Sequence, residues 1–473
     1  MNTNIQKNKE GAGYRVGAIF LFLSLIMIGC KKETNNFLNA KPSSNIEIPT
    51  TLDDFQALLD NDNGNMNRAP ELDEISADDY YVAYFAYTSI YDQFERNAYI
   101  WDKDIFDGQG NITDYNVPYS QVLAANVVLS GLNNIAATAS NQVYWNKVKG
   151  IALFMRAYAF YNVAQCFAPV YDPATSKTDL GIPLRMMPDI NTKTTRSTVE
   201  QTYDQVLSDL KTSVNFVQPA LDNFRNRPSK PSVYAMLARV YLSMRNYTQA
   251  FNYADSCLNI YDKLIDYNTV NYNLYSPFTP INDESMFDVS GVGDDITGFI
   301  GLEAGYSIDT TLYAEYAPND LRQLVYFYPY GGYINMNAGY DGVSPGTRYQ
   351  GLATDEVYLI RAECYARNGN TNAAMVDLNT LLSYRFQTGT FVPYTAKNSS
   401  DALSQILTER RKELVMRNLR WSDLRRLNKE GYNITLTRKL NGVTYTLPPN
   451  DPRYVLPFPP DVISLTGIQQ NPR

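Results

Sequence analysis

A leucine-rich and strongly charged stretch at residues 408–430 constrains the fold more than any other part of the sequence. Its sequence, TERRKELVMRNLRWSDLRRLNKE, holds eight basic and four acidic residues. Glu413 precedes Arg417 by four positions and Asp423 precedes Arg426 by three, so each pair shares a helix face. The apolar positions predict two consecutive helices with one buried face and are Leu403, Ile406, Leu407, Leu414, Val415, Leu419, Leu424 and Leu427. Interleaved acids and a tryptophan favour ion pairs that lock a helix corner over a nucleic-acid patch.

A pattern of small residues and tyrosine occurs twice, in residues 233–251 and 357–375, with a weaker third copy in residues 148–161. The matching positions are Ala238, Tyr241 and Ala250 in the first copy and Ala362, Tyr365 and Ala374 in the second. This spacing is typical of tetratricopeptide-type helical hairpins, in which small residues let two helices approach closely. We therefore predict a mostly α fold in which such hairpins stack as a scaffold, near 115–262 and 354–430.

The first 29 residues resemble an export signal. Three basic residues precede an apolar run at residues 16–28, which is too short to span a bilayer. A glycine then precedes Cys30, which resembles a lipobox, where the cysteine is lipidated and becomes the new N-terminus. An ordinary cleaved signal with a chance cysteine is the alternative. We predict lipidation of Cys30, a polar tether over residues 30–50 and one folded domain over residues 51–473.

Composition excludes several classes of function. The sequence contains no histidine, which excludes Ser-His-Asp and Cys-His catalysis and histidine-containing metal sites. The net charge of −8 disfavours non-specific binding to nucleic acid. Besides Cys30, three cysteines lie within apolar helical patterns, so we expect buried thiols. Residues 60–71 depart from a calcium loop at its fifth and sixth positions, and we predict no metal site and no cofactor.

Aromatic residues are used unevenly, with 38 Tyr and 20 Phe against 3 Trp. Tyrosine combines an apolar face with a polar tip, so an excess beyond the needs of a core predicts a binding surface. One aromatic group opens at Asp78 in a predicted helix, and another lies in a Tyr- and Gly-rich insertion at residues 263–350, which we expect to be ordered. Packing in the core is the alternative for each tyrosine. The predicted ligand-binding residues are Asp79, Tyr80, Tyr84, Tyr328, Tyr330 and Tyr333.

Several motifs, in this order along the chain, resemble the SusD/RagB-like family of outer-membrane nutrient-binding lipoproteins. The C-terminal ERRKEL and RWSDLRRL segments are the most specific part, and the resemblance covers essentially the whole mature chain. The other matching elements are Asn126, Arg156-Ala157 in ALFMRAYAFY, Asp320-x-Arg322, YLIRAECYARNG, and VLPFPPDVI followed by Gln470-Asn471-Pro472.

The resemblance implies four tetratricopeptide-like helix pairs on one side and a large irregular, loop-rich half that carries the ligand surface. It implies a lipid-anchored, surface-exposed location at the outer membrane and a SusC-type TonB-dependent transporter as partner. It also implies binding of an extracellular glycan, with an oligopeptide as the alternative ligand. The insertion holds no tryptophan, and only Trp101 could join a platform for sugar rings, which keeps the peptide alternative open.

A carboxylate-pair glycoside hydrolase is the second class of function considered. Asp78 and Asp79 are adjacent, and Asp104 and Asp107 are close in sequence, but such enzymes need two carboxyls that flank the scissile bond at defined separations. Neighbouring acids usually point apart, so we predict no enzymatic activity. A purely structural scaffold for protein partners is the third class, and the Tyr-rich insertion favours a ligand-binding protein over it.

Overall fold

The computed structural model describes residues 49–473 apart from residues 63–64, 275, 338, 341 and 343–347. The predicted signal, Cys30 and almost all of the predicted tether lie outside the described residues. Thr51–Arg473 forms one compact unit. Among the helices that the structure describes, none is both long enough and apolar enough to cross a membrane.

Most of the regular structure is helical, which confirms the mostly α fold predicted from the sequence. The helices of the N-terminal half are α1 (Leu52–Leu59), α2 (Leu72–Ser76), α3 (Tyr84–Ser89), α4 (Gln93–Tyr99), α5 (Thr113–Gly131), α6 (Gln142–Phe167), α7 (Val199–Ser213), α8 (Lys230–Ser243) and α9 (Tyr247–Leu258). The helices that follow are α10 (Asp295–Phe299), α11 (Thr310–Tyr313), α12 (Arg322–Tyr326), α13 (Thr354–Arg367), α14 (Thr371–Ser383), α15 (Ser399–Glu413), α16 (Arg420–Lys429) and α17 (Pro460–Thr466).

Neighbouring long helices pack as hairpins, α5 on α6, α8 on α9 and α13 on α14. The alanines of the sequence repeat are fully buried, as close helix packing requires, and are Ala238, Ala250, Ala362 and Ala374. Asn246 caps α9 and Asn370 caps α14 in the same way, because each side chain accepts from the backbone N–H three residues further on. Helix α9 packs against α13, and α13 packs against α15, so the hairpins form one tetratricopeptide-like scaffold as predicted.

The β-structure consists of short two-stranded pairs in the described part of the chain. The strands are β1 (Arg68–Ala69), β2 (Tyr80–Val82), β3 (Leu180–Pro183), β4 (Arg196–Thr198), β5 (Ser285–Phe287), β6 (Ser290–Gly291), β7 (Tyr306–Ile308), β8 (Phe327–Tyr330), β9 (Tyr333–Met336), β10 (Leu352–Ala353), β11 (Leu436–Leu440) and β12 (Val443–Leu447). Strands β1 and β6 pair in parallel, whereas β2–β7, β3–β4, β5–β10, β8–β9 and β11–β12 are antiparallel. The insertion at residues 263–350 thus contributes five short strands and the short helices α10–α12 among its described residues.

The charged stretch at residues 408–430 forms the end of α15, the turn that follows and all of α16. Its basic and acidic groups form ion pairs that reach distant parts of the chain. The main buried pairs are Arg322 with Asp320, Glu409 and Glu413, Arg385 with Glu284 and Glu413, Arg417 with Asp355, and Arg426 with Glu363 and Asp423. The stretch therefore ties the insertion and helix α13 to the helix corner through guanidinium–carboxylate bonds.

Of the two ion pairs predicted within the stretch, Asp423–Arg426 is present, whereas the prediction of Glu413–Arg417 is wrong. Asp423 accepts from Arg426 at 2.8 Å. Helix α15 ends at Glu413, and two residues of the following turn have positive φ angles, so Arg417 does not lie one helical turn beyond Glu413. Arg417 instead contacts Asp355 at 3.0 Å.

Candidate functional site

Two hydrogen-bonded strand pairs, β2–β7 and β8–β9, connect the segments that carry the predicted tyrosines, and we call these two pairs the frame. Strand β2 pairs with β7 so that Tyr80 opposes Ile308, and β8 pairs with β9 so that Tyr330 opposes Tyr333. The two pairs meet where the backbone N–H of Ile334 donates to Ser307 Oγ at 3.0 Å. The first aromatic segment and the insertion, which are far apart in the sequence, are therefore joined in the fold.

The turn of the β8–β9 hairpin is made by Gly331 and Gly332. Both residues have positive φ, 59° and 87°, which fits a two-residue type I′ turn that only glycine and a few polar residues adopt readily. Side chains directly opposite each other in a strand pair, and those two residues apart in one strand, lie on the same face. Tyr328, Tyr330 and Tyr333 therefore project from one face of the hairpin.

The same hairpin face is attached to the segment that precedes β7. The Tyr328 hydroxyl donates to the Gly301 carbonyl at 2.9 Å, and Asn335 Nδ2 donates to the Glu303 carbonyl at 3.0 Å. The Tyr328 and Tyr330 ring centroids are 6.4 Å apart. Tyr328 and Tyr333 are half-buried, whereas Tyr330, at the end of the hairpin, is 50% exposed. Glu303, whose backbone carbonyl accepts from Asn335, is an exposed acidic residue.

Helix α3 adds two more exposed rings, Tyr84 at 48% and Phe85 at 59% exposure. The Phe85 ring meets the Tyr333 ring in an edge-to-face contact with centroids 6.5 Å apart. Gly305, with φ of 97°, allows this approach, because a Cβ there would lie 2.7 Å from both the Phe85 ring and the Ala86 methyl group. We call Tyr84, Phe85, Tyr328, Tyr330 and Tyr333 the aromatic surface.

Phe85, Gly305 and Glu303 belong to this surface or border it, and sequence reasoning missed them as site residues. Phe85 directly follows the predicted residue Tyr84, and this adjacency was the sequence signal that could have identified Phe85 as a site residue. No sequence pattern indicated its contact with Tyr333 or the close approach at Gly305.

Two of the predicted ligand-binding residues, Asp79 and Tyr80, are buried, so their prediction as ligand contacts is wrong. Tyr80 lies in β2 rather than in the predicted helix, and its hydroxyl donates to the Ile75 carbonyl at 2.8 Å. The Arg438 guanidinium lies over its ring, 4.9 Å from the centroid. Asp79 accepts from Arg411 Nε at 3.2 Å. Tyr80 in β2 and Asp79 just before it are both buried, and their bonds to the Ile75 carbonyl and to Arg411 hold this segment in the fold.

The neighbouring acid pairs considered for catalysis have structural partners. Asp78 accepts from Arg420 Nε at 2.7 Å and lies 3.4 Å from Arg411 Nη2. Burial alone would raise the pKa of Asp78, but Arg420 and Arg411 overcome this effect and hold the pKa below its usual range. Asp104 is exposed and accepts from the backbone N–H of Asp107 at 3.1 Å. Asp78 is therefore a salt-bridged carboxylate, and Asp104 is part of a surface turn.

The three tryptophans do not contribute to the aromatic surface. Trp101 is buried and donates from Nε1 to the Ser76 carbonyl at 2.9 Å, so the expectation that it could join a sugar platform is wrong. Trp421 is buried against Tyr454, with ring centroids 4.6 Å apart. Trp145 is half-buried in α6 and donates to the Ile135 carbonyl.

A groove of about 780 Å³ lies between the β3–β4 pair and α7. Its lining is mostly charged, hydroxyl and amide side chains, and it includes Arg185, Lys193, Arg196, Gln201 and Gln205. None of the lining residues is Tyr, Phe or Trp, and none belongs to the aromatic surface. Of the two, the aromatic surface alone presents exposed rings on a hydrogen-bonded frame.

Comparisons of sequence place nearly the whole chain in one family. Residues 36–242 match the SusD-like family described as "Starch-binding associating with outer membrane". Residues 238–473 match the family described as "SusD family". No curated protein shows significant sequence similarity to the chain.

Solved structures share the fold. A SusD superfamily protein from Bacteroides thetaiotaomicron is 23% identical, with a TM-score of 0.72 over 89% of this chain and 100% of the other. A putative sugar binding protein from Bacteroides vulgatus is 19% identical, with a TM-score of 0.71 over 90% and 99% of the two chains. Surface glycan-binding protein A from Bacteroides fluxus is 14% identical, with a TM-score of 0.66 over 90% and 100%. The two family matches, which this shared fold accompanies, show that the chain belongs to the SusD family.

Proposed function

We propose that this protein is an outer-membrane lipoprotein that binds an extracellular glycan on its aromatic surface and delivers it to a SusC-type TonB-dependent transporter. The observation that carries the proposal is the group of rings formed by the exposed Phe85 and Tyr330 and the half-buried Tyr333. Sugar rings present apolar C–H faces that stack on aromatic planes, and their hydroxyls bond to polar groups beside them. Glu303 is an exposed acidic residue in the segment that bonds to the hairpin.

The frame under the rings supports binding because it is largely ordered in advance. Tyr328 and Asn335 bond the hairpin to the 301–303 segment, and Ile334 bonds it to β7. A ligand that stacks on such a surface orders few side chains, so little conformational entropy opposes binding. Each stacked ring contributes about 1 kcal/mol beyond its buried area. Two or three rings together add about 2–3 kcal/mol in this way, a moderate contribution that suits a protein that must release its ligand to a partner.

Delivery to a transporter and anchoring through Cys30 complete the proposal. The family description, which associates these proteins with the outer membrane, supports this location. A lipid on Cys30 would hold the folded body at the membrane through the tether over residues 30–50. We infer binding without turnover, since Asp78 and Asp79 are engaged by Arg411 and Arg420.

An oligopeptide is the alternative ligand, and one observation favours it. The aromatic surface is built from tyrosine and phenylalanine, while all three tryptophans serve elsewhere. Tyrosine and phenylalanine rings contact apolar peptide side chains as readily as sugar rings. The transport role would be the same with either ligand.

The test begins with purified protein screened against arrays of polysaccharides and of peptides. A double variant, Tyr330→Ala with Tyr333→Ala, should lose binding to whichever ligand the wild type selects, while its circular dichroism spectrum and Tm stay close to wild type. Tyr432→Ala is the matched control, because Tyr432 is 44% exposed and lies beyond α16, outside the aromatic surface.

Unchanged affinity in the double variant would show that the ligand binds elsewhere. Collapse of the fold in the same variant would show that these tyrosines serve the core. Selection of peptides over all polysaccharides would replace the glycan by the alternative ligand and leave the surface assignment in place.

A further inference from the structure

Two groups of buried and half-buried acids in this protein differ in their charged partners. Those around α15 and α16 have arginine or lysine partners, as described above. A second group surrounds the N-terminal ends of α4 and α10 and has no salt bridge to Arg or Lys among the described residues. Its members are Glu71, Asp92, Glu95, Asp114, Asp294 and Asp295.

Three of these carboxylates converge on one point. Asp92, Glu95 and Asp295 each offer an oxygen, and the three oxygens lie within 4.8 Å of one another. Asp92 precedes α4, Glu95 is in its first turn, and Asp295 is the first residue of α10. The Glu95 carboxylate is fixed in place, because its two oxygens accept from the backbone N–H groups of Asp295 and Ile296 at 3.0 and 2.9 Å.

An independent observation shows that this convergence lacks a positive partner. Asp294 is only 8% exposed, and its Oδ2 has no hydrogen-bond donor among the described residues. The charged groups that act most strongly on its carboxyl are Asp114, Glu95, Glu71 and Asp92, all of them acidic. Buried carboxylate oxygens normally have a donor or a cation, because an unpaired one is costly to remove from water. Glu71 Oε1 and Asp114 Oδ2 are buried without a donor in the described residues as well.

We propose that Asp92, Glu95 and Asp295 bind a divalent cation of the calcium type, which joins the start of α4 to the start of α10 and offsets the charge of the adjacent Asp294. The donor set consists of oxygen atoms alone, which selects a hard cation. Calcium accepts six to eight oxygens at about 2.3–2.6 Å in irregular geometry, so oxygens within 4.8 Å of one another fit around it. Asp92 and Asp295 are half-buried, which leaves a solvent-facing side for water ligands.

The sequence predicted no metal site, and the reason is the distance along the chain. Asp92 and Glu95 are three positions apart, but Asp295 comes from the insertion. No calcium-loop spacing links them. The site stands apart from the proposed ligand surface, although α10 leads directly into the 301–303 segment that supports the β8–β9 hairpin.

The test is calcium binding by the purified full-length protein after treatment with EDTA and removal of the chelator. Isothermal titration with CaCl₂ up to millimolar concentration should show saturable binding, and calcium should raise the Tm. The double variant Asp92→Asn with Asp295→Asn keeps side-chain size and should weaken that binding about tenfold or more, since calcium affinity follows the number of charged ligands. Asp283→Asn is the matched control, because Asp283 is exposed and lies outside the acidic group.

Calcium binding by wild type that the double variant retains in full would overturn the proposal, as would the absence of any calcium effect on wild type. If the double variant does not fold, the single variant Asp295→Asn decides, and wild-type affinity in that variant would also overturn the proposal. Tighter binding of MgCl₂ than of CaCl₂ would overturn the assignment to a calcium-type ion. None of these readouts depends on a glycan or a peptide.

Discussion

Arg322 donates from Nη1 to Glu413 Oε2 at 2.9 Å, and neither side chain has any exposed surface. Arg322 also contacts Asp320 and Glu409, each at 2.6 Å. One guanidinium therefore serves three buried carboxylates, from α15 and from the insertion, and Arg385 and Lys412 also contact members of this group.

Replacing Arg322 by alanine should destabilise the protein by about 3–5 kcal/mol, because three buried carboxylates lose a shared partner. Urea denaturation followed by circular dichroism measures the change in the free energy of unfolding. Lys429→Ala is the control, since Lys429 and Asp172 form a partly exposed pair at 3.6 Å. Loss of such a pair should cost less than about 1 kcal/mol. Equal effects of the two substitutions would contradict the structural role given to Arg322.

Glu363 makes the stability of the protein depend on pH in the acid range. It accepts from Arg426 through both oxygens, at 2.5 and 2.8 Å, and from Arg367 at 2.8 Å. Burial alone would raise the pKa of Glu363, but the two guanidiniums overcome this and hold the pKa below its usual range. The carboxylate therefore contributes stability above the pKa of the unfolded chain, about 4.3, and loses it as pH falls through the lower folded-state pKa.

Glu363→Gln should consequently be less stable than wild type at pH 7, and the difference should shrink as pH falls below about 4, where wild type also becomes protonated. Denaturation curves for both proteins between pH 7 and acid conditions measure this difference. A difference in unfolding free energy that stays constant over the whole range would show that the charge of Glu363 has no part in it.

Gly305→Ala tests the approach of α3 to the β8–β9 hairpin. The new methyl group would meet the Phe85 ring and the Ala86 methyl at 2.7 Å, in a backbone conformation with φ of 97°. We expect roughly 1–3 kcal/mol of destabilisation from backbone strain together with weaker ligand binding, because Phe85 must move away from Tyr333. Gly369→Ala is the control, since Gly369 has φ of 80° but open space around its Cβ position. Gly369→Ala should lose stability through backbone strain but keep its affinity for the ligand. Equal losses of affinity in both variants would argue against the contact with Phe85.

Cys30→Ala tests the membrane anchor. If Cys30 carries the lipid, the variant should appear in the soluble fraction of cells that lack the partner transporter, while wild type stays with the membranes. Metabolic labelling with a fatty acid provides the second measurement, with label expected on wild type alone. A variant that still fractionates with membranes in those cells would show that another feature anchors the protein.

Local sequence patterns were sufficient for the helical half of the molecule. The spacing of Ala238, Tyr241 and Ala250 and of their repeat partners predicted hairpins that the structure contains. Helical periodicity reports which face of one segment is buried, so it is readable without knowledge of distant residues. The same reasoning predicted that residues 408–430 form two helices joined by ion pairs.

Contacts between distant segments decided the rest. Pairing of β2 with β7 buries Tyr80 and turns a predicted helix into a strand, and the turn after α15 separates Glu413 from Arg417. Aromatic excess predicted a surface, but tertiary packing determined that Tyr330 is exposed on it.

The sequence by itself thus determined the helical repeats, the charged corner and the presence of an aromatic-rich insertion, because each is encoded in spacing within one segment. Only the tertiary structure brought Phe85 to Tyr333 and Asp92 to Asp295. The physical reason is that strand register and chain reversal set these distances. Both depend on partners about two hundred residues away in the sequence, and no local periodicity encodes them.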